Sequence, residues 1–402
     1  MTAVRVRDVV TNPTERPLGA ALPYVALENV AAGAGHLVPG TELEDTSREG
    51  TVVARTGDVL FGKLRPYLAK VLYIKEDIQC STELLVMRAD GMNMDKRFLY
   101  YLARSKPFVE WAVATSVGVK MPRTDWAALS RFELSNLPCV EDQRRLATRL
   151  DAECREMDAI AEEHENLSRL VEERDRTAVK RLVTGQDVDG PREKVGPWWL
   201  GPTPVSWQPY KVSRNFRTGS GATPTSGDSR FYDGPHPWLN TSECNDDVVM
   251  ETNKTITDEA ISSYSALKFY PAGSIVVAMY GATIGKLAVL GAPMTVNQAC
   301  VVLYEPKGLD PWFTYWWLWA HRAELIVMGE GGGQPNISQE TVKQFVIPAP
   351  SLVEQREVVE RITAMRSRSA NIRELADEQA RLLSERREAL VTSLVTGQAE
   401  VA

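Results

Sequence analysis

The chain is poor in the residues that build metal and redox sites. It has only four histidines, His36, His164, His236 and His321, and none has metal-ligand spacing. The five cysteines, Cys80, Cys139, Cys154, Cys244 and Cys300, are odd in number, widely spaced and never C-x-x-C. That excludes a disulfide framework and a zinc site, and fits reduced thiols in a cytoplasm. There is no run of about 18 apolar residues that could span a membrane. Met1-Thr2-Ala3-Val4-Arg5 lacks the apolar stretch of a signal peptide. The expected location is therefore cytoplasmic.

Catalytic motifs are also missing. Gly281-Ala282-Thr283-Ile284-Gly285-Lys286 superficially resembles a P-loop, but the glycines are too close and Leu287 stands where Ser or Thr is needed. Gly331-Gly332-Gly333 follows a helical stretch, not the strand a dinucleotide fingerprint requires. There is no G-x-S-x-G elbow. Nor is there an Asn/Asp-Pro-Pro-Tyr/Phe run of the kind that amino-methyltransferases place around a flipped base. Most paired carboxylates lie in helical stretches, where a solvated face accounts for them. Strong positive charge is absent too. Net charge is −7; residues 1–136 carry 17 Lys+Arg against 16 Asp+Glu (+1) and residues 187–350 carry 12 against 16 (−4). A DNA-binding role would need cations concentrated locally, or a partner supplying phosphate contacts.

What the chain does have is a long internal repeat. Glu141-Asp142-Gln143-Arg144 opens a charged helical stretch closing at Leu182-Val183-Thr184-Gly185-Gln186, and Val353-Glu354-Gln355-Arg356 opens another closing at Leu394-Val395-Thr396-Gly397-Gln398. Gln143 maps to Gln355 and Leu182 to Leu394 at one offset, 212 residues, so neither copy has gained or lost a residue between these points. This is a duplicated half-protein. The first copy carries Leu146, Leu150, Met157, Ile160, Leu167, Val171, Ala178 and Leu182 at coiled-coil spacings, interrupted by His164 and Arg174. The second carries Val358, Ile362, Ile372, Ala376, Leu383, Leu390 and Leu394. Pro138 and Pro350 precede the runs and Gly185 and Gly397 follow them. Helices of this length reach roughly 65 Å. A single apolar stripe needs a partner, and each helix has one in its duplicate, antiparallel across the intervening domain.

The other segments read as α+β. Strands are expected at 57–63, 68–74 and 83–87 with a helix from Phe98 to Trp111, then at 273–280, 287–290 and 299–304 with a helix from Trp312 to Met328. Gly57 aligns with Gly273, Glu83 with Gln298 and Asp95 with Asp310 at offsets of 215 to 216; Pro122 aligns with Pro335 and Phe132 with Phe345 at 213. The domains have drifted while the helices kept register. Four segments follow: an α+β domain over 1–136, a helix over 137–186, a second domain over 187–350 and a second helix over 351–402.

These residues resemble the specificity subunit of type I restriction–modification systems, over nearly the whole chain. The resemblance rests on Ile347-Pro348-Ala349-Pro350 before Glu354-Gln355, with the weaker Leu137-Pro138 before Asp142-Gln143. It rests also on Gly221-Ala222-Thr223-Pro224-Thr225, Pro237-Trp238, Trp199-Leu200-Gly201 with Pro204 and Trp207, and the helix exit Leu182 to Gln186. The first domain has no Gly-x-Thr-Pro counterpart to 221–224. The resemblance implies an α+β fold in which two target-recognition domains alternate with two long helices packed as an antiparallel, pseudo-two-fold coiled coil. It implies a non-catalytic subunit without a cofactor, whose partners are double-stranded DNA with a bipartite target, two methyltransferase subunits and motor–nuclease subunits. Each domain would read one half-site while the helices set the spacer.

Candidate DNA contacts follow from residue type. Lys63, Arg65 and Tyr67 put cations and an aromatic at a strand end, where phosphate or guanine edges are in reach; ordinary strand-face charge is the plain alternative. Lys120 and Arg123 flank Met121-Pro122, and the matching loop holds Gln334 and Asn336, residue types that pair with adenine; a polar Gly-rich turn is the plain alternative there. Tyr280, Thr283 and Lys286 occupy the place of 61–70, and Thr223 lies in the recognition-domain motif. Trp312 to Trp319 reads as core or partner interface. The competing function is a coiled-coil assembly scaffold that binds proteins without reading DNA.

Overall fold

The computed structural model describes residues 4–17, 21–46, 50–195, 198–329 and 336–397. They form two compact units: Met1–Asn166 with Ala376–Ala402, and Leu167–Leu375. Each unit contains one α+β domain and one part of each long helix.

The central strands of both domains are apolar at every position because both faces are covered. In the first unit Val59–Gly62 lies between Leu84–Ala89 and Val71–Tyr73, all antiparallel, with Val10–Thr11 at the edge. Val59, Phe61, Leu85 and Met87 pack on one side against Phe98, Leu99, Leu102 and Phe108. Leu60, Leu84 and Val86 pack on the other against Val25, Ile78 and Cys80 of a second sheet. The second unit repeats this. Ile275–Ala278 lies between Cys300–Tyr304 and Leu287–Leu290, flanked by Arg217–Gly219 and Asp247–Val249. Ile275 and Val277 face the tryptophan-rich helix Pro311–Ala320, whereas Val276 and Ala278 face a core with Leu239, Cys244 and Val296. Alternate side chains feeding two cores is what period-two strands do when no face meets water.

The expected helices 98–111 and 312–328 are each broken in two. The first divides at Ser105, whose ψ of 145° starts a new helix at Lys106 with Pro107 inside its first turn. The second divides at His321, between Pro311–Ala320 and Arg322–Val327. Both begin at an aspartate cap: Asp95 accepts from the amides of Arg97 and Phe98, and Asp310 from those of Trp312 and Phe313.

The long helices run Val140–Val183 and Leu352–Val395, 44 residues each at the offset of 212. Within each unit the two segments run antiparallel. In the first unit Asp158 pairs with Arg387, while Leu146, Leu150 and Cys154 share a core with Val391, Leu394 and Val395. In the second, Glu172 pairs with Arg366 at 2.9 Å and Arg373 at 3.1 Å, and Asp175 with Arg366 at 3.3 Å. The seam differs from expectation at Leu167, which is 43% exposed, and at Asp175 and Ser369, a polar pair that is buried across it; Gln143 and Gln355 are buried too, each against the domain of its own unit. Among the described residues no helix is long and apolar enough to cross a membrane. Cys80, Cys154, Cys244 and Cys300 are buried, Cys139 is exposed, and all five are free.

Candidate nucleic-acid interface

The two cationic loops of the first domain, far apart in sequence, form one surface. Lys63 directly follows the central strand: its amide donates to Glu83 O at 2.9 Å, and its carbonyl accepts from Thr124 N at 2.9 Å. Arg65 N donates to Pro122 O at 2.7 Å, and Leu64 bridges Arg123. Lys63, Arg65 and Tyr67 therefore stand beside Lys120 and Arg123. Arg65 adopts a left-handed φ of 50° so that Pro66 can open a short 3-10 turn over Pro66–Leu68. The 117–123 loop is a hairpin closed by reciprocal Val117–Arg123 backbone bonds of 2.9 Å.

The five residues are electrostatically unequal. Arg123 donates to Glu83 Oε1 at 2.7 Å, so its charge is largely answered within the fold. Burial, and secondarily the nearby Arg123, hold the Lys63 ammonium below the usual lysine range. Lys120 and Arg65 are exposed and form no ion pair among the described residues. They are the available cations, and Tyr67 is exposed beside them.

The second domain builds the same corner from different side chains. Met279 replaces Lys63: its amide donates to Ala299 O at 2.9 Å and its carbonyl accepts from Ile337 N at 2.8 Å. Gly62 N to Lys70 O (2.8 Å) becomes Ala278 N to Lys286 O (2.9 Å), so the turn has the same length in both units. These bonds pair Glu83 with Ala299, one residue beyond the expected Gln298, because the ladder sets the register. Tyr280, Thr283 and Lys286 lie on the turn joining the two strands, and Asn336 is next to the Ile337 amide that anchors the other loop. Gln334, with Pro335 and the Gly331-Gly332-Gly333 stretch, lies outside the described residues. Thr223 is exposed but on a separate segment, between Ala222, whose carbonyl accepts from Trp238 Nε1 at 3.1 Å, and buried Pro224. Trp316, Trp317 and Trp319 are core, one of the two roles expected of them, while Trp312 stays partly exposed.

Sequence reasoning missed Glu83 as the counter-charge of Arg123, and it missed Val117 and Val119, both strongly exposed at the hairpin tip. The alternation Val117, Val119, Met121 between a helix and Pro122 was the available signal for an apolar hairpin.

Residues 204–378 match the family model of type I restriction modification DNA specificity domains. Over 146 residues the chain is 25% identical to the EcoR124I/EcoR124II specificity subunit of Escherichia coli, covering 35% of this chain and 36% of that one. The match thus spans about a third of that curated relative's length. The fold is similar to a chain solved in a study of complex assembly and conformational transition of the type I R-M system, with a TM-score of 0.76 and 20% identity over 98% of this chain and 97% of that chain. It is also similar to the HsdS subunit from Thermoanaerobacter tengcongensis, with a TM-score of 0.52 and 18% identity over 98% of this chain and 96% of that chain. Duplicated helices and two domains on one plan accompany these likenesses: residues 204–378 match the type I restriction modification DNA specificity domain, and the chain as a whole shares the fold of the HsdS subunit.

Proposed function

We propose that this chain reads DNA sequence for a type I restriction–modification complex and performs no chemistry itself. Each domain, 1–136 and 187–350, reads one half of a bipartite target. The helices 137–186 and 351–402 set the separation of the half-sites and dock two methyltransferase subunits, to which motor–nuclease subunits add. Lys63, Arg65, Tyr67, Lys120 and Arg123 face one half-site, with Arg65 and Lys120 carrying its phosphate contacts; Thr223, Tyr280, Thr283, Lys286, Gln334 and Asn336 contact the other.

The observation that carries this reading is the pair of corners with matching backbone hydrogen bonds and different side chains: Lys63 becomes Met279, Glu83 becomes Ala299 and Thr124 becomes Ile337. A backbone scaffold kept constant while the side chains on it change suits two readers of unlike sequences. Phosphate contacts supply affinity and base-edge contacts specificity, so modest local charge suits a reader that shares its DNA with partners.

Mapping methylated sites with the cognate methyltransferase tests it. Two short specific sequences separated by unread bases are expected. A single continuous recognition sequence would refute the reading, and a complex with no DNA sequence preference would favour the assembly scaffold.

A further inference from the structure

The tip of the 117–123 hairpin presents apolar side chains to solvent. Val119 is fully exposed (104% relative accessibility), Val117 is 79% exposed, and Met121 and Tyr67 are each more than half exposed. A tip of this kind is ordinarily polar, because exposed apolar surface contributes nothing to folding. This one is nonetheless well fixed. Reciprocal bonds join Val117 and Arg123, Arg65 N holds Pro122 O at 2.7 Å, and Thr124 N holds Lys63 O at 2.9 Å. Gly118 turns the chain at a φ of 106°, where a Cβ would meet Met121 O at 3.1 Å.

The charge around the tip defines its partner. Lys120 lies within it, and Arg65 is tied to its far strand by the Pro122 bond. Both are exposed, and neither is ion-paired among the described residues. A partner must therefore offer an apolar spot flanked by negative charge. The DNA major groove does so: it admits a two-stranded β-ribbon, its walls are phosphates, and the 5-methyl group of thymine is its apolar feature.

We propose that the Val117–Met121 tip is a specificity element that reads a thymine through its 5-methyl group in the major groove, with Lys120 and Arg65 on the flanking phosphates. This rests on the DNA-reading function proposed above. It assigns Val119 the leading contact and makes the first half-site contain at least one thymine that matters.

The test uses the full chain assembled with its methyltransferase subunits. Binding is measured on target duplexes in which each thymine in turn is replaced by uracil, which deletes only the methyl group. One position in one half-site should weaken binding about fourfold, the worth of one buried methyl. With Val119→Ala, whose side chain supports no core, that thymine–uracil difference should shrink toward unity while the second half-site keeps its own preferences. Lys120→Ala should weaken thymine and uracil duplexes equally. A half-site without thymine, or a thymine dependence unchanged by both Val119→Ala and Val117→Ala, overturns the proposal while leaving sequence reading intact. A complex indifferent to sequence throughout overturns it together with the function it rests on.

Discussion

The side-chain oxygen of Gln143 accepts the backbone N–H of Asp95 at 2.8 Å, while its amide group donates to Asn93 O and Pro138 O, each at 2.8 Å. Gln355 repeats all three contacts, on Asp310 N at 2.7 Å, Gly308 O at 3.2 Å and Pro350 O at 2.9 Å. In each unit one buried glutamine near the start of a long helix fixes the cap of the helix that covers the sheet. Replacing either by leucine strands three backbone groups that are at least partly buried. The expected cost is about 3 kcal/mol for Gln143→Leu or Gln355→Leu, read as a lowered urea midpoint. A midpoint unchanged in both variants would show that water replaces the side chain.

Asp175 is a buried polar contact between the two long helices of the second unit. It is fully buried, accepts from Ser369 Oγ at 2.9 Å and lies 3.3 Å from Arg366. Removing Asp175 takes the buried acceptor away from Ser369 and leaves Arg366 with Glu172 alone. Asp175→Ala should therefore destabilise the second unit by about 3 kcal/mol. Replacing Asp175, Ser369 and Arg366 together by apolar residues should recover much of that loss. Thermal melts of the single and triple variants decide it; a triple variant no more stable than the single one would mean that packing, not charge, sets the seam.

Gln143, Gln355 and the 212-residue offset were legible in the sequence because helices tolerate no insertion without rotating every later side chain. The central strands were legible for a related reason: burial on both faces leaves long apolar runs. The break at His321 was not, because nothing in Trp317 to Leu325 signals a stop and tertiary packing decides it. Leu167 was misread because periodicity reports which face a residue occupies, not whether that face is covered. At the candidate site, residue types pointed to Lys63, Arg65, Lys120 and Arg123. Their ranking was hidden, since it depends on Glu83, which lies 40 residues from Arg123 and meets it only in three dimensions.

His321 ties stability to pH. It is buried against Trp317, with Nδ1 2.8 Å from Trp317 O, and Trp199 packs on its ring. Burial pushes its pKa from 6.5 down to about 4. The folded state thus keeps it neutral while the unfolded chain protonates it near 6.5. Its contribution is intact above pH 6.5 and declines as pH falls toward 4, by about 3 kcal/mol in all. Urea midpoints between pH 7.5 and 5 should fall in the native chain and much less in His321→Gln. Parallel profiles would assign the pH dependence to other groups.

Glu83 gives the sharpest electrostatic test, because its role predicts a gain. Each phosphate neutralised on duplex DNA adds about 0.9 to the slope of log affinity against log salt. Lys120→Ala and Arg65→Ala should each reduce that slope by about one and weaken all sequences alike. Arg123→Ala should change it little, since Glu83 already holds Arg123 at 2.7 Å. Glu83→Gln releases that guanidinium and removes a negative charge from the corner. It should raise affinity and steepen the slope by up to about one. Anisotropy titrations of the assembled complex across a salt series read both quantities. If Glu83→Gln weakens binding instead, Glu83 serves to position Arg123 on DNA, and the division into available and answered cations is wrong.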